Sequence, residues 1–147
     1  MRRISIATAV VAALVLVLAG IASAGGTRAK LQLRQTKIGK ILVNSRGFTI
    51  YAFTRDGRNR DQCVKINGCA GIWPLVKTSG TPLAGPGVKA SLIGTIRPKP
   101  GLVQVTYAGH PLYTYSLDSS PGETFYVNIS QFGGRWPALN ASGGEVK

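Results

Sequence analysis

The sequence is poor in the residues that form most catalytic and metal sites. Its 147 residues include five Asp and Glu side chains in total, two cysteines and one histidine, His110. The G-x-S-x-G nucleophile elbow and the C-x-x-C-H haem motif are both missing, and a blue-copper centre needs a second histidine. A structural zinc site needs more Cys or His ligands than the chain offers. We therefore expect no metal and no cofactor.

The scarcity of acidic residues leaves a strongly basic chain. Eighteen Lys and Arg residues give a formal charge of +13, and removing Arg2 and Arg3 with the N-terminal segment leaves +11. Outside the cytoplasm such a surface attracts lipid headgroups, wall polymers and acidic polysaccharide. The alternative is that the charge only keeps the protein soluble. Nucleic acid is not an expected partner, because no recognised binding motif is present. The candidate polyanion contacts are Arg55, Arg58, Arg60, Arg97 and Lys99.

The first 24 residues have the pattern of a secretory signal. Two arginines precede an apolar run from residue 4 to residue 21, and Ala22-Ser23-Ala24 follows as a cleavage site. We predict a signal peptide over residues 1–24 and an exported, extracytoplasmic protein associated with the cell envelope. The alternative is an uncleaved membrane anchor, because 18 apolar residues are at the lower limit for a bilayer span. No cysteine near the cleavage site could accept a lipid.

A short motif occurs twice. Tyr51-x-Phe53-x-x-Asp56 returns as Tyr113-x-Tyr115-x-x-Asp118 at a shift of 62 residues. Gly39 matches Gly101 at the same shift, and Trp73-Pro74 matches Trp136-Pro137 at a shift of 63. A repeat of about 60 residues buries its apolar surface better when two copies pack together. We predict a basic tether or short leading strand over residues 25–37, then a single β domain over 38–147 with repeats at about 38–87 and 88–147.

The local patterns are those of β-structure. The apolar run 41–43, a turn at 44–47 and an alternating segment over 48–54 predict a hairpin whose second strand is covered on both faces. In the second half, segments 91–97, 102–107 and 112–116 predict a three-stranded meander. No sustained 3.6-residue period follows the signal segment. The predicted fold is all-β, built of antiparallel sheets from two homologous repeats with pseudo-twofold symmetry and little helix.

Cys63 and Cys69 are the only cysteines. An even number in an exported chain favours a disulfide, although free thiols or a metal are the alternatives. The five residues between them argue against a redox pair, which is typical of the closer C-x-x-C spacing.

The repeated motif allows a catalytic and a structural hypothesis. Asp56 and Asp118 could meet across the pseudo-twofold axis as the acid and base of a glycosidase, with Tyr51 and Tyr113 stacking on a sugar. Both aspartates also open turns, where a carboxylate commonly accepts backbone N–H bonds. The structural interpretation is the favoured one.

Three further side chains have a structural and a functional interpretation. Trp73 and Trp136 are expected to fill the core at the ends of equivalent strands, and their exposure would decide whether they bind a ligand instead. His110 lies between Gly109 and Pro111 and is expected to be a turn residue.

These features together resemble a family of secreted bacterial lipoproteins with tandem Tyr-x-(aromatic)-x-x-Asp motifs and no established function. The resemblance covers about residues 38–140, including the cysteine pair, the Trp73-Pro74 dipeptide and the run from Gln104 to Tyr113. It implies an extracytoplasmic location and a repeat architecture, and it assigns no catalytic residues. The absence of a lipidation cysteine is the one departure that matters.

The sequence therefore predicts an exported protein that acts as a non-catalytic binding or structural module. The hypothesis of a binding module predicts affinity for an anionic wall polymer or membrane surface, and this affinity should fall as the salt concentration rises. The alternatives are a small extracytoplasmic hydrolase, which requires Asp56 and Asp118 in one cleft, and a redox or metal-associated envelope protein.

Overall fold

A computed structural model describes residues 25–147 of the chain. The signal peptide expected over residues 1–24 lies outside the described residues. Within the described part, no helix is both long and apolar enough to cross a bilayer.

Short strands make up most of the regular structure. In chain order they are β1 (Lys30–Thr36), β2 (Gly39–Val43), β3 (Leu83–Ala84), β4 (Ile93–Lys99), β5 (Leu102–Tyr107), β6 (His110–Pro111), β7 (Ser130–Gln131), β8 (Gly134–Arg135), β9 (Ala138–Leu139) and β10 (Glu145–Val146). The helical elements are one short α-helix, α1 (Cys69–Ile72), and 3₁₀ turns at Cys63–Lys65 and Ala90–Leu92. The prediction of an all-β fold with little helix is confirmed.

The strands form four small sheets, in the orders β2-β1-β3, β4-β5-β6, β7-β8 and β9-β10. All named pairs are antiparallel except β1 with β3, which run parallel. The predicted meander is β4-β5-β6, and the predicted bounds of β5 match the structure. The third strand was predicted over residues 112–116, and that position is wrong: β6 lies just before it at His110–Pro111, because regular pairing ends at Pro111 and Tyr113 makes only isolated bridges.

The segment 25–37 is not a tether along its whole length, so that prediction is corrected to its alternative, a leading strand. β1 occupies Lys30–Thr36 and pairs with β2 from Gln32↔Val43 to Thr36↔Gly39. The buried β2 needs a partner for its backbone groups, and β1 provides it. Leu31 is fully buried while Lys30 is exposed. With Leu31 as its one buried residue, β1 has a composition that is polar on average and therefore resembles a tether.

The segment over residues 48–54 is extended and central, as predicted, but pairs through single bridges at Thr49 and Tyr51 rather than as a continuous strand. Ile50 and Ala52 point into a cluster of mainly aliphatic residues. Tyr51 and Phe53 point into a second, aromatic cluster. The motif therefore lies between the two halves of the core, where both faces are covered.

The predicted disulfide joins Cys63 to Cys69, with the two Cα atoms 5.4 Å apart. Both cysteines are fully buried and pack in the aromatic cluster beside Trp73. A loop this short restricts the unfolded chain modestly, so the bridge is expected to contribute roughly 2 kcal/mol. We expect the double variant Cys63→Ser and Cys69→Ser to fold with a lower melting temperature.

The same experiment has an internal control. Reductant should lower the melting temperature of the unmodified protein towards that of the double serine variant and leave the variant itself unchanged. A variant that melts at the same temperature as the oxidised protein would mean that the bridge does not stabilise the fold.

Candidate functional site

The second aromatic of each motif stacks on the tryptophan of the other repeat. Phe53 lies parallel to Trp136 at 4.1 Å between ring centroids, and Trp136 lies parallel to Trp73 at 3.9 Å. Tyr115 packs against the other side of Trp73 at 4.3 Å, with its ring tilted by 34°. Because both tryptophans are fully buried, the expectation that they fill the core is confirmed. The four rings form a continuous stack across the two repeats, which we call the aromatic stack.

The motif tyrosines meet backbone to backbone. Tyr51 N–H donates to the Tyr113 carbonyl and Tyr113 N–H donates to the Tyr51 carbonyl, both at 2.9 Å. Each ring lies edge-on to the tryptophan of its own repeat, at 5.1 Å from Trp73 and 5.1 Å from Trp136 respectively. This pair therefore lies at the pseudo-twofold axis. Both tyrosines are 0% exposed, so the hypothesis that they stack on a sugar is wrong.

The two motifs exchange hydrogen bonds. The Tyr113 hydroxyl donates to Asp56 Oδ2 at 2.8 Å. The Tyr51 hydroxyl donates to Asp118, at 3.0 Å from Oδ2 and 3.2 Å from Oδ1. Each repeat thus supplies a tyrosine for the carboxylate of the other, and neither copy is complete alone.

The turn interpretation of the aspartates holds for one of them. Asp56 Oδ1 also accepts the Gln62 N–H of its own loop at 2.7 Å. The side-chain hydrogen bonds of Asp118 within residues 25–147 come from Tyr51 instead. The spacing of the motif could have predicted two equivalent carboxylates, but not that their donors come from the opposite repeat.

Burial shifts the acid–base properties of these groups. It raises the pKa of Asp56 to about 7, against the opposing effect of its hydrogen bonds from Gln62 and Tyr113. It raises the pKa of Asp118 to about 6, again against the Tyr51 hydrogen bond. Burial and the neighbouring carboxylates raise the pKa of Tyr51 and Tyr113 well above the ordinary tyrosine value. Both hydroxyls therefore remain protonated donors at any physiological pH.

The two aspartates line different pockets. Asp56 lies in a pocket of about 200 Å³ with Arg58 and His110. Asp118 lies in another of about 320 Å³ with Phe48 and Tyr115. A paired-carboxylate hydrolase needs both groups on one substrate. The separate pockets argue against paired catalysis by the two aspartates, and the tyrosine bonds show that both carboxylates also join the two repeats.

His110 is at the start of β6 and half-buried, directly after a turn that requires a glycine. Gly109 has φ +85°, and the equivalent Gly47 of the first repeat has φ +84°, which a residue with a Cβ rarely adopts. This requirement explains why both copies carry glycine there. Burial lowers the pKa of His110, so its neutral form is favoured.

Metal-binding geometry is not found in the described part of the chain. Among residues 25–147, no three His, Cys, Asp or Glu side chains are grouped so that they could hold a metal ion.

The candidate polyanion contacts divide into two sets. Arg55 donates to the Phe132 carbonyl and Arg58 to the Ala108 carbonyl, so both hold loops on the body of the domain. Arg60 and Arg97, although distant in sequence, line one surface depression of about 370 Å³.

Lys65 belongs to the same depression and was missed by the sequence analysis. It lines the depression with Arg60 and Arg97, and it also lines an adjacent one with Lys99. We call Arg60, Lys65, Arg97 and Lys99 the basic surface. A cation within the disulfide loop was visible in the sequence, but nothing in the spacing connected residue 65 to residue 97.

One carboxylate also lines the depression. Asp61 is 4% exposed, and its Oδ1 accepts the Val64 N–H at 2.9 Å. Its Oδ2 is buried with no hydrogen-bond partner among the described residues. The depression therefore keeps a net positive charge, with its carboxylate below the surface.

Comparison with known proteins gives one match. A family model described as a secreted repeat of unknown function matches residues 32–77 and residues 94–140, one copy in each half of the chain. The first matched segment begins inside β1, earlier than the expected start at residue 38. No curated protein and no solved structure matches the chain.

Proposed function

This chain belongs to the family of secreted repeats of unknown function, and from that premise we propose that it is a non-catalytic binding protein for an anionic polymer outside the cytoplasm. The basic surface is the proposed contact. The observation that carries the proposal is that cations from two segments distant in sequence, Arg60 and Lys65 from one and Arg97 from the other, line one depression.

The charge around the depression is largely uncompensated. The ion pair of Arg135 with Glu145, at 2.8 Å, is the only one within residues 25–147. Arg60, Lys65, Arg97 and Lys99 are all exposed. Positive charge in a concave surface concentrates anions more effectively than charge on a flat one. A polymer segment with regularly spaced anionic groups supplies several partners to such a surface at once.

A polymer is favoured over a bilayer as the partner. Proteins that insert into a lipid surface combine cations with large exposed apolar side chains. In the described residues the exposed large hydrophobics are Leu83, Leu117 and Phe125, and none of them lines the depression. An anionic cell-wall polymer or acidic polysaccharide therefore suits the basic surface better than a membrane.

The test is co-sedimentation of the exported protein with isolated cell walls and, separately, with anionic liposomes, at low and high salt. We expect retention by walls at low salt and release at high salt, because exposed charges are screened. The triple variant Arg60→Gln, Lys65→Gln, Arg97→Gln should lose most of this retention, since each cation near an anionic surface is worth about 1 kcal/mol.

The chain offers a matched control. Lys30, Lys37 and Lys40 are also exposed and lie outside the depression, and their triple glutamine variant loses the same net charge. Equal losses in both triple variants would mean that only net charge matters, which contradicts the proposed site. Retention by liposomes but not by walls would assign the basic surface to lipid. No retention at low salt would end the proposal of polyanion binding.

A further inference from the structure

The pockets beside Asp56 and Asp118 are related by the internal repeat. Each places a motif aspartate against the glycine turn of the other repeat: Asp118 against the 46–48 turn, and Asp56 against the 108–110 turn. At the shift of 62 residues, Arg46 corresponds to Ala108 and Phe48 to His110. The two copies have therefore kept the carboxylate and changed the residues around it.

The pocket beside Asp56 is narrowed by its own loop, which is bonded to the 108–110 turn. Asn59 N–H donates to the Gly109 carbonyl at 2.8 Å, and Arg58 donates to the Ala108 carbonyl at 3.3 Å. What remains is about 200 Å³, which is below the roughly 300–1,000 Å³ typical of small-molecule sites.

The pocket beside Asp118 is larger and differently lined. Its volume is about 320 Å³, and its lining includes Asn44, Arg46, Phe48, Thr114, Tyr115 and Ser116 as well as Asp118. The Arg46 guanidinium lies over the Phe48 ring, 5.2 Å from its centre, so a cation and an aromatic ring are neighbours in the pocket lining. The two pockets thus share an origin but differ in the chemistry that they offer a ligand.

The Asp118 carboxylate has acceptor capacity left. Both its oxygens share the single hydroxyl of Tyr51, whereas an ionised carboxylate can accept about four hydrogen bonds. Acceptors on a carboxylate suit the hydroxyls of a sugar, and an aromatic ring suits the apolar face of a pyranose. Arg46 adds a planar donor group, which pairs with a carboxylate through two parallel hydrogen bonds.

We propose that the pocket formed by Asp118, Phe48, Tyr115 and Arg46 binds one acidic sugar unit, of the hexuronic acid class. Asp118 accepts hydrogen bonds from the ring hydroxyls, Phe48 contacts the ring, and Arg46 pairs with the sugar carboxylate. This inference rests on the proposed function, because it makes the unit a component of the anionic polymer. It also makes the two repeats unequal, with the sugar held beside the motif carboxylate of the second repeat.

The experiment is a titration of the isotope-labelled exported protein, followed by backbone amide chemical shifts, with three probes. Glucuronate carries the sugar ring and the charge, glucose carries the ring alone, and acetate carries the charge alone. We expect glucuronate to shift the amides of Arg46, Phe48, Tyr115 and Asp118 at the lowest concentration. Glucose should shift the same amides more weakly, and acetate should leave them unchanged.

Substitutions separate this pocket from the basic surface. Arg46→Gln should weaken glucuronate binding about tenfold, as expected for loss of a charge-assisted hydrogen bond, and leave glucose binding unchanged. Phe48→Ala should weaken the binding of both glucuronate and glucose. Arg97→Gln should leave glucuronate binding intact while reducing retention by cell walls.

Each outcome decides between the two proposals. Equal shifts from acetate and glucuronate would make the pocket a simple anion site and overturn the sugar assignment. No shift of these amides with glucuronate would also overturn it, and wall retention that is still lost in the basic-surface variants would leave the proposed function standing. If Arg46→Gln binds glucuronate as tightly as the unmodified protein does, the assigned role of Arg46 is wrong.

Discussion

Replacing Trp136 with alanine is expected to lower the free energy of unfolding by about 4 kcal/mol. Trp136 is fully buried between Phe53 and Trp73, so its removal leaves a cavity in the middle of the aromatic stack. It also removes the indole N–H that donates to the Gln131 carbonyl. A domain of this size has only about 5–15 kcal/mol of stability, so this one substitution would remove a large share of it.

Urea denaturation of the purified variant measures this effect directly. Phe125→Ala is the control, because that ring is 77% exposed and its loss should change stability by no more than about 0.5 kcal/mol. Trp73→Ala should behave like Trp136→Ala, since Trp73 occupies the equivalent place in the other repeat. If Trp136→Ala and Phe125→Ala unfold at the same urea concentration, the aromatic stack is not the centre of the core.

Raising the pH from about 4 to about 7 is expected to destabilise the protein through its two motif carboxylates. Burial raises the pKa of Asp56 to about 7 and of Asp118 to about 6, both from 3.8. The folded state therefore holds these protons more tightly than the unfolded chain does. The stabilisation is fully present below pH 3.8 and is lost as the pH rises through the folded pKa.

The change Asp56→Asn isolates this effect, because an amide resembles the protonated acid and cannot ionise. The variant should be more stable than the unmodified protein at pH 8, by on the order of 2 kcal/mol for a partly exposed carboxyl. Near pH 4 the two should be closely matched. Thermal or urea unfolding of both proteins across this range gives the comparison.

Two other groups titrate in the opposite sense and serve as controls. Backbone and hydroxyl hydrogen bonds from Ser119 lower the pKa of Glu123, so Glu123→Gln should cost stability at neutral pH and not in acid. The pKa of His110 is lowered, so its neutral form stabilises the folded state more as the pH rises towards 6.5. This contribution is the same in Asp56→Asn and in the unmodified protein, so it cancels when the two are compared. A difference between these two proteins that does not change with pH would contradict the assigned burial of Asp56.

The crossed bonds explain why the Tyr, aromatic and Asp positions recur together. Tyr51 binds Asp118 and Tyr113 binds Asp56, while Phe53 and Tyr115 stack on the opposite tryptophans. Substituting one of these residues would leave its partner in the other repeat without a hydrogen bond or a ring contact. The motif is therefore best understood as the joint between the repeats, and ligand binding is to be sought around it.

Much of the fold follows from short-range patterns. The repeated motif, the glycine turns and the alternation of β5 each depend on residues that are close in sequence. The sequence alone therefore predicted two repeats, little helix and the meander. Period-two alternation along residues 48–54 places Tyr51 and Phe53 on one face and Ile50 and Ala52 on the other, which is the division between the two core clusters. The disulfide followed from an even cysteine count in an exported chain.

What the sequence left open depends on contacts between distant residues. Local periodicity says which side chains share a face but not what covers that face, so the burial of Tyr51 and Tyr113 and the exchange of partners across the axis were decided by tertiary packing. The strand at 30–36 was obscured because its polar residues face solvent and its partner, β2, lies beyond a turn. The same reason applies to the cations, since Arg60 and Lys65 meet Arg97 of β4 in one depression only after distant parts of the chain pack together.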